Sequence, residues 1–411
     1  MLFTPLVLPN GATVPNRLAK AAIEENMAGP GQLPGAAIHH LYERWADGGA
    51  GLIITGNVMV DGRALTGPAT LVLEAHTPLE SFRLWARAAR RHGAQAWMQI
   101  NHPGRQVMAN MGGAAMAPSA IALDMGKHSK LFAQPVAMTA ADIGEVVARF
   151  AATAQAAEKA GFTGVQIHAA HGYLISQFLS PLANQRTDEW GGSLARRARL
   201  LLDVVRAVRA SVSPGFCVAV KLNSADFQRG GFSEADAREV VLMLNELAVD
   251  LVELSGGSYE SPAMQGETAD GRTLAREAYF LDFARELAAV ARMPVMTTGG
   301  IARRAVAEQV LASGVAMAGL ATALAARPDL PRQWQAGHDV EARMPAVRWR
   351  DKTLAGLARL ALVRRRIRNL GAGRDGGLRY QPLWTLVVDQ LRSAWMAKRY
   401  RAWRLSVNPA N

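Results

Sequence analysis

Short runs of aliphatic residues recur along the chain, separated by longer segments with helical periodicity. Eight runs stand out: Arg17–Ala22, Gly51–Thr55, Ala94–Ile100, Gly164–His168, Phe216–Leu222, Leu251–Ser255, Pro294–Gly299 and Val315–Ala321. Most are apolar at successive rather than alternate positions, the pattern of parallel strands buried on both faces. Between them the spacing predicts helices at Pro78–His92, Ala140–Ala160, Ser193–Ser211, Ser233–Ala248, Arg276–Ala291 and Arg303–Ser313. Ser233, followed by Glu234 and Asp236, supplies an N-cap and an acidic first turn. Val7–Val14 carries Asn10-Gly11 between apolar residues, which signals a β-hairpin. Eight β/α repeats over about 330 residues predict an α/β fold, a TIM (β/α)8 barrel with insertions. A doubly wound open sheet is the alternative and needs a Gly-rich phosphate loop after its first strand. Here Ile23-Glu-Glu-Asn-Met27 follows the first run instead. The segment Gln106–Pro135 is a long insertion after the third strand, expected to form part of a roof over the site.

Composition adds two constraints. The 411 residues are 50% hydrophobic and 19% charged, enough for one large core and unlike a disordered chain. No apolar run reaches the roughly 18 residues of a spanning helix. The opening Met-Leu-Phe-Thr-Pro lacks a basic n-region and an apolar h-region, so no signal peptide and a cytoplasmic location are expected. The single cysteine, Cys217, excludes an internal disulfide and any four-cysteine zinc or iron–sulfur site. It lies in Phe-Cys-Val-Ala-Val and reads as a small buried hydrophobe; no metal is expected.

The net charge of +12 is uneven. Residues 341–411 hold 16 Lys/Arg against 4 Asp/Glu, whereas residues 1–340 hold 30 of each sign. We therefore divide the chain into a barrel, 1–340, and a basic helical C-terminal extension, 341–411. Leu354, Leu357, Ala361, Leu362 and Leu370 form an apolar stripe on a first helix, and Leu383–Trp395 a second amphipathic one. Tryptophan and tyrosine interleave with cations in Arg348-Trp-Arg350 and Lys398-Arg-Tyr-Arg-Ala-Trp-Arg404. Such a segment suits either packing on its own barrel or on a twin subunit, or peripheral contact with a membrane surface. The neutral main body offers no groove for nucleic acid.

Candidate chemistry concentrates in His168-Ala-Ala-His-Gly-Tyr173. Two imidazoles lie three residues apart and a phenol two further on, all hydrogen-bond donors. Alone, the triplet also fits core histidines and a core tyrosine at a helix start. It continues, however, through Ser180-Pro-Leu-Ala-Asn-Gln-Arg-Thr-Asp-Glu-Trp-Gly-Gly192. The whole stretch resembles the active-site signature of the Old Yellow Enzyme family, the FMN-dependent ene-reductases. That resemblance implies a flavoprotein oxidoreductase. Bound FMN, reduced by NADH or NADPH through the same pocket in a ping-pong cycle, would reduce the C=C bond of an α,β-unsaturated carbonyl compound. His168 and His171 would hold the carbonyl oxygen and Tyr173 would protonate the α-carbon.

The resemblance also assigns the cofactor site. The backbone of Ala21, Ala22 and Ile23 and the Gly56 amide would meet the ring. Gln99 would read its pyrimidine edge, and Lys221, where relatives carry Arg, would stabilise charge there. Gly299 and Gly300, leading into a helix, would hold the phosphate. After the eighth strand the family's Gly-Arg is replaced by Ala321-Thr322, so a threonine hydroxyl and backbone amides would substitute. Gln99 and Lys221 also admit structural readings, as a strand-end amide and an ion-pair partner. Glu24 stands where relatives place Thr or Cys, and would oppose flavin reduction unless protonated, turned away or paired with Arg or Lys. Two other functions stay open: FMN-dependent dehydrogenation or demethylation on the same fold, and a peripheral membrane or interaction protein with an inactive barrel. An iron–sulfur dienoyl-CoA reductase is excluded by the single cysteine.

Overall fold

Strands apolar on both faces need cover on both, and a closed barrel wrapped in helices provides it. The computed structural model describes residues 1–261 and 277–407. An antiparallel hairpin, β1 (Leu6–Val7) and β2 (Thr13–Val14), pairs Leu6 with Val14. The barrel strands are β3 (Leu18–Lys20), β4 (Leu52–Ile54), β7 (Gln95–Asn101), β10 (Gly164–Ala169), β11 (Cys217–Asn223), β12 (Leu251–Ser255), β13 (Val295–Thr297) and β14 (Met317–Leu320). Each pairs in parallel with the next, and β14 closes on β3. Short β5 (Val58–Met59) and β6 (Leu71–Val72) extend the sheet edge beside β7, and β8 (Met116–Ala117) and β9 (Val136–Ala137) pair within the insertion.

The helices between them are α1 (Ala36–Asp47), α2 (Glu80–Ala89), α3 (Ala140–Lys159), α4 (Leu174–Leu179), α5 (Leu194–Ser211), α6 (Glu234–Leu244), α7 (Leu281–Ala288), α8 (Arg304–Ala312), α9 (Thr322–Ala326) and α10 (Leu330–Gln335). The expected capping at Ser233 is a full capping box with Asp236. The helix expected over Arg276–Ala291 begins at Leu281, and Arg276 lies outside the described residues. The first strand is shorter than expected, because Arg17 belongs to the barrel floor. Its N–H donates to Leu2 O and its Nη1 to Ala316 O.

The hairpin plugs that floor. Leu6, Leu8 and Val14 join Ala19, Leu52, Trp97, Cys217, Leu251, Met296 and Met317 in one buried cluster. Side chains thus fill the lower barrel, and the chemistry is left to the loops at the strands' C-terminal ends. Cys217 is wholly buried there, and burial pushes its thiol up to about 12, far from a reactive thiolate.

Two further helices, α11 (Lys352–Gly371) and α12 (Pro382–Val407), follow the barrel. α11 lies against α1 and α9. The buried Arg366 donates to Ala325 O and Ala326 O at the end of α9, satisfying carbonyls a helix end leaves open. α12 crosses the roof: Ala397 and Tyr400 pack with Met59, Leu65, Val107 and Met111, and Tyr400 Oη donates to Gly62 O at 2.9 Å. The expected stripe on α11 divides. Ala361, Leu362 and Leu370 are buried, but Leu354 and Leu357 face solvent, because Ala355 and Ala358 form the close contact instead.

Candidate active site

His168, the penultimate residue of β10, lies level with Lys221 on β11, which is level with Glu253 on β12. Beyond the strand the chain turns sharply. His171 adopts φ of 61° and Gly172 φ of 72°. A Cβ on Gly172 would come within 2.9 Å of both Gln106 Oε1 and Ser258 Cβ, so glycine is needed for space as well as conformation. Asn223 Oδ1, at the end of β11, receives the His171 N–H at 3.0 Å and holds the turn.

This turn gathers the three signature side chains. Ring centroids of His168 and His171 are 5.0 Å apart, and those of His168 and Tyr173 are 4.8 Å apart. Burial, then mutual repulsion and Lys221, holds the His168 imidazole well below its usual range; burial and Lys221 do the same to His171. Both effects favour the neutral imidazole. His168 Nδ1 accepts the Ala170 N–H at 3.2 Å, so its proton sits on Nε2, which is left to donate. His171 Nε2 lies 2.7 Å from Ser255 Oγ. Burial raises the Tyr173 phenol well above its usual value, with Tyr259 and Glu24 adding to the effect.

Tyr259, in the loop after β12, was not legible as a site residue. Its hydroxyl is 3.2 Å from Tyr173 Oη, and burial pushes its own phenol up to about 12. Phe132, from the Gln106–Pro135 insertion, packs on Tyr259 at 6.1 Å. Arg105 ties the two segments together, donating to Glu260 Oε2 at 2.8 Å and to the carbonyls of Ile121 and Ala122. The insertion therefore does roof the site.

The residues assigned to a cofactor occupy the same rim, with one correction. The Gly56 N–H donates to Glu25 Oε1 and Tyr42 Oη, both at 3.0 Å, so it is not offered to a ring carbonyl. The buried Glu25, itself near Lys20, takes that amide. Ala21 N–H is also spent, on Leu320 O, whereas Ala22 and Ile23 follow β3 toward the rim. Gln99 Nε2 donates to Gln166 Oε1, Gln166 Nε2 to Glu253 Oε2, and Lys221 Nζ to Glu253 Oε1, each at 2.7 Å. Lys221 is thus ion-paired, as its structural reading anticipated. Gly299 and Gly300 have φ of 116° and 71°, and a Cβ on Gly300 would meet the Tyr279 hydroxyl at 2.5 Å. Ala321 and Thr322 open α9 beside them. An acceptor on Gln99 and a cation on Lys221 match the donor and acceptor of a flavin imide edge, and two side-chain-free residues sit at the end of β13. The donor set fits FMN.

Glu24 is not an unpaired carboxylate. Its Oε1 accepts from Thr66 Oγ1 at 2.6 Å, and its Oε2 lies 3.3 Å from Arg364 on α11. Arg364 in turn reaches Asp389 on α12 at 3.4 Å. The extension thereby enters the electrostatics of the site.

Residues 1–341 match the model of the NADH:flavin oxidoreductase / NADH oxidase family. The chain belongs to this family. It is accordingly an oxidoreductase that works with FMN and a nicotinamide donor. It is 39% identical over 353 residues to the NADH-dependent flavin oxidoreductase iliE of Neonectria sp. (strain DH2), covering 80% of this chain but 46% of that protein. It is 37% identical over 361 residues to iliE of Hypocrea jecorina, covering 82% of this chain and 89% of that protein. Among solved structures, the old yellow enzyme homologue of Zymomonas mobilis superposes with a TM-score of 0.71 at 26% identity, covering 83% and 94% of the two chains. The expected barrel and hairpin are those of this family. The match stops short of α11, although α11 carries Arg364.

Proposed function

We propose that the protein reduces the C=C bond of α,β-unsaturated carbonyl compounds at the expense of NADH or NADPH. The observation that carries this reading is a pair of imidazoles packed against each other and beside a buried phenol. FMN, when bound, supplies the hydride. Saturating the alkene builds enolate charge on the carbonyl oxygen. His168 Nε2–H, with His171, is suited to donate to that oxygen, and neutral donors pre-set in a buried site lower the barrier as charge develops. Tyr173 Oη then gives its proton to the α-carbon, completing C–H formation and leaving a phenolate. The Tyr259 hydroxyl, 3.2 Å away, can donate to that phenolate. The names of the iliE relatives favour NADH as donor. The test is anaerobic oxidation of NADH or NADPH with 2-cyclohexenone. Turnover with amines but not with enones would favour the dehydrogenase alternative.

We infer further that the outer face of α12 meets an anionic lipid surface. Leu383, Trp384, Leu391 and Trp395 are 66%, 62%, 67% and 52% exposed, and Lys398, Arg399 and Arg401 follow on the same side. Exposed tryptophans beside cations suit headgroup depth. Among the described residues no helix is long and apolar enough to cross a membrane. Co-sedimentation with phosphatidylserine vesicles, lost in Trp384→Ser/Trp395→Ser, is the expected result. Equal sedimentation of both proteins, or none, would refute it.

A further inference from the structure

We propose that Glu253 is a positioning residue for the cofactor: it sets the direction of the hydrogen bonds facing the flavin pyrimidine and offsets the Lys221 charge there. This rests on the reading that Gln99 and Lys221 hold that edge.

Glu253 is the one charged residue of β12, Leu251-Val-Glu-Leu-Ser255, and it is wholly buried inside the barrel. A carboxylate only accepts hydrogen bonds when ionised. Lys221 Nζ supplies one donor at 2.7 Å, so Gln166 must present its Nε2 to the other oxygen, also at 2.7 Å. That choice turns Gln166 Oε1 toward Gln99, which must answer with its own Nε2 at 2.7 Å. Gln99 Oε1 is then the atom left over, and it takes no hydrogen bond from the described residues. Two carboxamides in a row have no preferred direction of their own. The carboxylate at one end supplies it. The edge therefore offers one acceptor, Gln99 Oε1, and the remaining protons of Lys221, which complements an imide N–H next to a carbonyl.

The same contact changes the charge. A lone lysine would favour the negative charge that FMN gains on reduction. A carboxylate 2.7 Å from that lysine, inside a barrel of low dielectric, cancels most of its field. The site should hold reduced FMN less tightly, relative to oxidised, than a site with an unopposed cation.

The experiment uses the full-length FMN-loaded protein and measures the flavin midpoint potential, with FMN affinity by fluorescence quenching. Glu253→Gln keeps the size and removes the charge. It should strengthen reduced against oxidised binding at least tenfold, a rise of about 30 mV for a two-electron couple. It should also weaken oxidised FMN, because the amide row can reverse. Lys221→Gln/Glu253→Gln should bring the potential back to within about threefold of wild type on the same scale. A folded, loaded Glu253→Gln protein with wild-type potential overturns the proposal, as does a double variant shifted as far as the single one. If the wild-type protein binds no FMN at all, the cofactor-edge reading fails first and the proposal with it.

Discussion

Tyr173→Phe separates proton donation from packing. The Tyr173 side chain is 7% exposed, and its ring lies against His168 at 4.8 Å and Tyr259 at 6.0 Å. Phenylalanine keeps both ring contacts. The hydroxyl makes one hydrogen bond in the fold, to Tyr259 Oη at 3.2 Å. Its loss should cost about 1 kcal/mol of stability, a shift of only about 1 °C in Tm for a chain of this size. Spread over the site, that loss would slow any step by at most about fivefold. Removing a general acid is a larger effect, about 10²–10⁴-fold on the step that needs it, or about 2.7–5.5 kcal/mol of barrier. The two magnitudes do not overlap, so kinetics can decide. Under anaerobic stopped-flow conditions, reduction of the bound flavin by NADH should stay within about twofold of wild type. Reoxidation by 2-cyclohexenone should slow at least about a hundredfold. Reoxidation at full rate would refute Tyr173 as the donor. Equal slowing of both half-reactions would assign it a structural role.

Arg364→Met should destabilise the fold by about 2–3 kcal/mol, below the usual cost of breaking a buried pair, because Asp389 keeps Arg368 at 2.9 Å and Glu24 keeps Thr66; urea denaturation showing under about 0.5 kcal/mol would remove the bridge from the account. Stability should fall as pH drops below 6.5, since the buried neutral His102, pushed down to about 4 chiefly by desolvation, binds fewer protons folded than unfolded. The full loss would be on the order of 3 kcal/mol by pH 4, and His102→Asn should flatten the slope between pH 6.5 and 5; an unchanged slope would show that other groups carry it. Truncation at Met344 should leave an aggregating protein, because it uncovers the Met59, Leu65 and Met111 cluster that Ala397 and Tyr400 seal; a monomeric, fully active truncation would contradict that role.

The barrel was legible because its strands announce themselves: an apolar run buried on both faces differs from one with a wet side. Strand boundaries differ by at most two residues, as at Arg17, which the barrel floor claims. The clustering of His168, His171 and Tyr173 was legible too, because they lie within one turn and local sequence fixes their spacing. Residues brought in from other elements were not. Tyr259 sits in a loop, and nothing in Gly256-Gly-Ser-Tyr-Glu260 says which residue it faces. Glu253 gave a usable signal, a carboxylate inside a strand otherwise read as buried, since such a group must find a cation. Lys221 was its natural partner, one strand away. Gly56 misled because an amide after a strand appears free until a distant carboxylate, Glu25, is found to occupy it.

The placement of the extension follows from the same electrostatics. A carboxylate at position 24, partly buried beside two phenols, would be costly without a cation, and no cation in the barrel segment reaches it among the described residues. Arg364 does, and Asp389 with Arg368 then balances Arg364. Glu24 in the barrel and the segment beyond the family match are therefore two halves of one arrangement. Replacing Glu24 by threonine would leave Arg364 with Asp389 alone. Deleting the extension would leave Glu24 with two threonine hydroxyls. Either change alters the field at Tyr173 and Tyr259, because Glu24 and Arg364 act on both phenols with opposite sign. A helix pair that read as an appendage in the sequence is coupled to the Tyr173 phenol through one half-buried ion pair.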